Sequence, residues 1–143
     1  MFLHELNDPQ RHAFMCLAAR MASTDAQLHD LELAMLSQMR HEMDIPSSWR
    51  PTTATTTALL TQFADHRSRT IVLLELLRLA RCDQAVPEEE RLFLIESATA
   101  FGFSRAQVRS LLLWTRRHEA LMADAELLMS PSPLAKAHPG VDA

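Results

Sequence analysis

Glycine is nearly missing from this chain: Gly102 and Gly140 are the only two in 143 residues. Hairpin turns lean on glycine for positive φ, so the scarcity argues against a β-rich fold. Two glycines also cannot build a phosphate-cradling loop or a dinucleotide fingerprint. Lysine is scarcer still, with Lys136 alone, and the formal net charge is −4. An acidic chain lacks the basic surface that displaces counterions from phosphates, so no nucleic-acid partner is expected. The apolar run Ile71 to Leu74 stops at Glu75 and is far too short to insert into a bilayer. Met1-Phe2-Leu3-His4-Glu5 has no basic segment leading into an apolar stretch, so no secretory signal is expected and a cytoplasmic location is. Cysteine is limited to Cys16 and Cys82, each within an apolar helical stretch. Sequence alone leaves a disulfide between them open; two buried, reduced thiols are the expectation in a reducing compartment.

Catalytic signatures are absent as well. There is no nucleophile elbow and no HExxH, and no Cys/His pair has zinc-site spacing. The seven histidines (His4, His12, His29, His41, His66, His118 and His138) are scattered along the chain and read as surface residues. A di-iron bundle would need a Glu-x-x-His pair on each of two helices, which neither His12 nor His41 supplies. The expectation is a protein that is not an enzyme.

What is present is helix-forming sequence. Hydrophobic residues make up 48% and charged residues 22%, the composition of one globular domain with a real core. Asn7-Asp8-Pro9 reads as a helix start, followed by Ala13, Phe14, Leu17, Ala18 and Met21 at helical spacing. A second helix is expected from about His29 to Glu42, with Leu31, Ala34, Met35 and Met39 on its inner face. Two prolines break the chain at 45–51, and a short helix around Ala58 to Phe63 follows a threonine-rich run. Ser68 or Thr70 is the expected cap of a helix over Ile71 to Cys82. That helix is apolar around nearly its whole circumference, so it should be the central rod of the domain. Pro87-Glu88-Glu89-Glu90 opens another helix, with Leu92, Phe93, Ile95 and Phe101 inward and Gly102 as its stop. Ser104 and Gln107 form a capping box for the next, and a last helical stretch is expected over Glu119 to Met129. The fold class is therefore all-α: a single compact domain over 1–129 with about six to seven helices, then a flexible tail at 130–143.

Shifting the chain on itself by 58 residues aligns two halves without a gap, about 13–46 and 71–104. Arg20 falls on Arg78, Ala22 on Ala80, Asp25 on Asp83 and Glu32 on Glu90. Apolar type is kept at Ala18/Leu76, Met21/Leu79, Leu28/Val86, Met35/Phe93, Met43/Phe101 and Ile45/Phe103. The expectation is an internal helix–turn–helix repeat with pseudo-twofold symmetry and an acid-bearing bend in each half. The bends stand as Asp25-Ala26-Gln27-Leu28-His29-Asp30-Leu31-Glu32 and Asp83-Gln84-Ala85-Val86-Pro87-Glu88-Glu89-Glu90. This pattern of aspartate, an apolar residue three on and glutamate seven on resembles the tellurite-resistance TerB family. Similar domains stand at the N-terminus of some membrane-anchored J-domain co-chaperones. The chain departs from the family pattern in carrying Ala26 and Gln84 where glycine often follows the aspartate. The resemblance implies a compact all-helical domain, cytoplasmic and linked to stress or tellurite resistance, with no settled enzymatic activity and with metal binding suspected for its acids.

Two readings of the bends stand side by side. In one, Asp25, Glu32, Asp83 and Glu90 converge on a divalent cation such as Ca²⁺ or Mg²⁺, which takes oxygen ligands. In the other, the aspartates accept backbone N–H bonds, the glutamates cap their helices, and Arg20 and Arg78 supply the counter-charge. The methionines Met15, Met21, Met35, Met39 and Met43 fall at helical spacing and read as core filling. The functional expectation is an interaction and stress-response module with a protein partner, the alternative being a metal sensor or buffer. An exposed methionine face or an exposed Trp114 would favour a homodimer.

Overall fold

Asn7 and Pro9 set where the first helix begins. In the computed structural model, which describes residues 1–24, 28–82 and 85–131, α1 spans Asp8–Ala22. The Asn7 side chain accepts the Gln10 N–H, and the Gln10 side chain accepts the Asn7 N–H, so two orphan donors are satisfied reciprocally. Then come α2 (Asp30–Glu42), α3 (Thr56–Leu60), α4 (His66–Ala80), α5 (Glu88–Ala100) and α6 (Arg105–Met129). A 3-10 turn at Leu3–Glu5 precedes them. No strand occurs among the described residues, and one continuous core joins the helices into a single domain.

α4 is the central rod. It packs against α1, α2, α5, α6 and the 3-10 turn, and Ile71, Val72, Leu73, Leu76, Leu79 and Ala80 are buried on its different sides. Its start differs from the expectation. Asp65 is the cap, accepting the Ser68 N–H at 2.9 Å and the Ser68 hydroxyl at 2.8 Å. The serine expected to do the capping is thus the residue being capped, and the helix gains its first turn from His66.

Three further expectations are corrected. α6 is one helix of 25 residues rather than two stretches, because Arg116-Arg117-His118 contains nothing that stops a helix. On α2, Leu31 and Ala34 face solvent, and the inner face is Glu32, Met35, Leu36, Met39 and, just past the helix end, Met43. On α5, Leu92 and Ile95 are exposed, while Glu90, Leu94, Ser97 and Ala98 are buried. Both errors share one cause: an acid occupies the first inward position of each helix, so a reading by apolar residues rotates the face. The methionine series does fill the core, with Met15, Met21, Met39 and Met43 all buried.

The bounds of α1 and α2 recur 58 residues on as those of α4 and α5. The helix ends recur too. Asp44 (φ 55°) and Gly102 (φ 78°) take the left-handed conformation just past α2 and α5. Ile45 N–H then reaches the Arg40 carbonyl at 3.1 Å, and Phe103 N–H the Ala98 carbonyl at 3.0 Å, a Schellman closure in each case. Arg11 and Arg69 act alike in part. Each Nε donates to a carbonyl of the preceding segment, Leu6 at 2.8 Å and Phe63 at 2.7 Å. Each guanidinium also meets the far end of its hairpin, Arg11 at the Met43 carbonyl and Arg69 over the Phe101 ring. The acid-bearing bends themselves, at 25–27 and 83–84, lie outside the described residues, as does all of the expected tail beyond Pro131.

Candidate functional site

The four carboxylates expected to share a cation are only half in view. Asp25 and Asp83 lie outside the described residues. Glu32 and Glu90 sit in the first turns of α2 and α5 and are buried, at 2% and 0% exposure. Glu32 accepts the His29 N–H at 3.1 Å, the helix-start role of a capping glutamate. Among the described residues no group of three or more His, Cys, Asp or Glu side chains is arranged to hold a metal ion. Arg20, the expected counter-charge, donates to the Ala54 carbonyl at 2.6 Å and the Thr56 hydroxyl at 3.1 Å. Arg78 pairs with Glu75, one turn back on its own helix.

Glu75 is the acid that sequence reading passed over. It is fully buried in the middle of α4. One oxygen accepts from Arg78, and the other accepts the Phe2 N–H at 2.8 Å and lies 3.1 Å from the Met1 amino group. That amino group also meets Glu42 at 2.6 Å, and Glu42 takes the Leu3 N–H at 3.1 Å. Burial works to raise the Glu42 carboxyl, but the ammonium, His4 and the Leu3 N–H outweigh it and hold it below its ordinary value. Two carboxylates therefore pin the first three residues onto α4 and α2. The signal was available: a lone acid in an all-apolar helix must be paired, and Arg78 stands three residues on.

Of the described histidines, His4, His12, His29, His41 and His66 are exposed, as expected, and His118 is half-buried. His66 stacks on Phe103 and His118 on Trp114. Cys16 is buried, and its sulfur takes the Thr52 N–H at 3.5 Å. Cys82 departs from expectation in being only half-buried. It borders a cleft of about 400 Å³ between α2, α4 and α6, with Met35, Arg78, His118 and Met122 around it. No disulfide joins Cys16 and Cys82.

A second hollow, of about 450 Å³, opens between α4, α5 and α6. Leu77, Leu94, Ile95, Val108 and Leu112 give it an apolar lining, and Arg81, Arg91 and Arg116 stand around it. Arg81 is held by Glu119 through two bonds of 2.8 Å, which keep its guanidinium more firmly protonated. Arg91 is held by Glu88, one turn back. Arg116 carries no ion pair within the chain among the described residues. The volume is on the scale of a ligand pocket, and greasy walls with a cationic border suit an apolar partner that carries carboxylates. Sequence reading missed it because it assigned Ile95 to the core, whereas the packing of α6 leaves that side chain on the groove wall. Among known proteins no family model matches the chain, and no curated protein or solved structure does so either.

Proposed function

We propose that the protein is a non-enzymatic interaction module of the TerB type that its bends resemble, working in a stress-response assembly. Its docking surface is the arginine-bordered groove between α4, α5 and α6. The observation that carries this reading is the groove itself: 450 Å³ of apolar hollow with three guanidiniums around it. Such a site favours a helix with an apolar stripe and acidic flanks, the helix-in-groove mode of recognition. The same reading takes α1–α2 and α4–α5 as copies of one hairpin. The test compares cross-linked captures by the wild-type chain and by Leu112→Asp, in cells exposed to tellurite and in unexposed cells. A reproducible partner lost with Leu112→Asp supports the reading, and identical captures by the two chains refute it.

A second reading, a divalent-metal sensor or buffer at Asp25, Glu32, Asp83 and Glu90, is favoured by the burial of both glutamates at corresponding bends. A ligand bound only by the folded state must raise its melting temperature. Titration with Ca²⁺, Mg²⁺, Mn²⁺ and Zn²⁺ that gives neither heat nor a melting shift at millimolar metal removes this reading.

A further inference from the structure

We propose that the groove between α4, α5 and α6 is filled by the C-terminal end of α6 from a second copy of the chain. The inference rests on the groove being a docking surface, and it names the occupant.

The argument begins with the end of α6. Thr115 is buried and Val108 and Leu111 pack on the core, and Met122 still borders the cleft next to α2. Beyond it the helix has little to lie on: Leu127 is 74% exposed, Leu128 87% and Met129 70%. Leu121, Met122, Ala125, Leu128 and Met129 recur at the spacing of one helix face. Glu119 to Met129 carries three acids and no basic residue. Asp124 and Glu126 make no ion pair within the chain among the described residues. A helix end with an unpacked apolar stripe gains most of its stability from whatever covers that stripe.

The groove supplies the complement, an apolar lining bordered by Arg116, which makes no ion pair among the described residues. A tail cannot enter the groove of its own chain. Leu112 and Leu128 lie on the same continuous helix, and sixteen residues separate them by about 24 Å along the axis. Two tails do not suit each other either, because Asp124 and Glu126 of each would stand close to those of the other. Each copy offers one tail and one groove, and insertion of each tail into the other copy's groove closes the assembly at two.

Sedimentation of the full chain across micromolar to millimolar concentration tests the proposal. The expected result is a monomer–dimer equilibrium that weakens with salt. Leu128→Asp and Arg116→Glu each alter an exposed side chain, and each should raise the dissociation constant at least tenfold. Adding Asp124→Arg to Arg116→Glu should restore much of the loss. A wild-type chain that stays monomeric throughout overturns the proposal, as does a dimer that both substitutions leave intact. A labelled peptide of residues 117–131, titrated into the Leu128→Asp chain, separates the two claims. If the wild-type chain is monomeric yet this peptide binds in an Arg116-dependent way, self-docking falls and the groove reading stands. If the chain is monomeric and the peptide does not bind, self-docking falls, and the capture comparison with Leu112→Asp decides the groove reading separately.

Discussion

The α1–α2 and α4–α5 hairpins have the same helix lengths and the same left-handed endings, yet they are covered by different kinds of chain. Across α1 lies an irregular segment. Arg20 grips the Ala54 carbonyl and the Thr56 hydroxyl, Cys16 takes the Thr52 N–H, and α3 packs behind them. Against α4 lies a single long helix, α6, with the groove between it and α5. A loop can follow the hollows of the surface beneath it. A helix is a stiff cylinder and bridges them, which leaves the apolar groove beside Leu112. The groove therefore arises from what covers the hairpin, not from the hairpin motif.

The largest test of this comparison lies inside the helices. Where α4 buries Glu75, α1 has Leu17, equally buried. Glu75→Ala leaves Arg78 without its partner and the Phe2 N–H without an acceptor. It should cost about 3–5 kcal/mol, the usual penalty for breaking one side of a buried ion pair. Leu17→Ala should cost about 2–5 kcal/mol through the cavity alone. Urea unfolding measures both, and only Glu75→Ala should also free the first residues to rapid amide exchange at Phe2 and Leu3. Equal exchange in the two variants would mean that the acid does not anchor the N-terminus.

Next in size is the position after it. Leu76 in α4 and Ala18 in α1 are both fully buried, so the same position holds a large side chain in one hairpin and a small one in the other. Leu76→Ala should cost about 2–5 kcal/mol. Ala18→Leu should also destabilise, by about 1–3 kcal/mol, because the core around α1 is already filled. A stabilising Ala18→Leu would show a void there and break the contrast.

Much of the architecture could be read from residue spacing. Helix starts at Asn7 and Ser104 and the stop at Gly102 follow from local chemistry, since a cap bonds to groups within a few residues of itself. The central place of α4 followed from its all-round apolar surface. The inner faces of α2 and α5 did not, because Glu32 and Glu90 occupy inward positions that periodicity assigns to apolar residues. The groove was hidden for a different reason. It depends on how Ile95, Leu112 and Arg116, from two helices, stand around a space. No pattern along one helix encodes a gap between helices.

A smaller contrast separates the N-caps of α1 and α4. Asn7 caps with a neutral amide and Asp65 with a carboxylate. The Ser68 N–H, then the Ser68 hydroxyl, hold the Asp65 carboxyl below its ordinary 3.8. A depressed folded pKa means that the contribution is present above that ordinary value and is lost as pH falls through the lower one. Asp65→Asn keeps a good cap and should flatten the acid limb of the stability curve by a fraction of the roughly 1 kcal/mol that a cap supplies. Asn7→Asp should introduce such a limb. Identical acid profiles for the wild type and Asp65→Asn would show that the carboxylate charge adds nothing to this cap.

The finest contrast is at the C-terminal ends, where Asp44 and Gly102 hold the same left-handed turn with φ of 55° and 78°. A side chain at Gly102 would meet nothing within 4 Å, so Gly102→Ala should cost about 1 kcal/mol from backbone conformation alone. Asp44 already bears that strain, and its exposed side chain has no hydrogen bond to offset it among the described residues. Asp44→Gly relieves the strain, but it also gives the unfolded chain more freedom, which works in the opposite direction by roughly 0.5–1 kcal/mol. Aspartate tolerates this region better than most residues. The two effects nearly cancel, and the net should be a stabilisation of about 0.5 kcal/mol or less. That is readable as a melting-temperature rise of about 2 °C or less. A clear fall instead would show that the aspartate side chain supports the turn in a way that glycine cannot, and the two hairpin ends would then differ in mechanism despite sharing a shape.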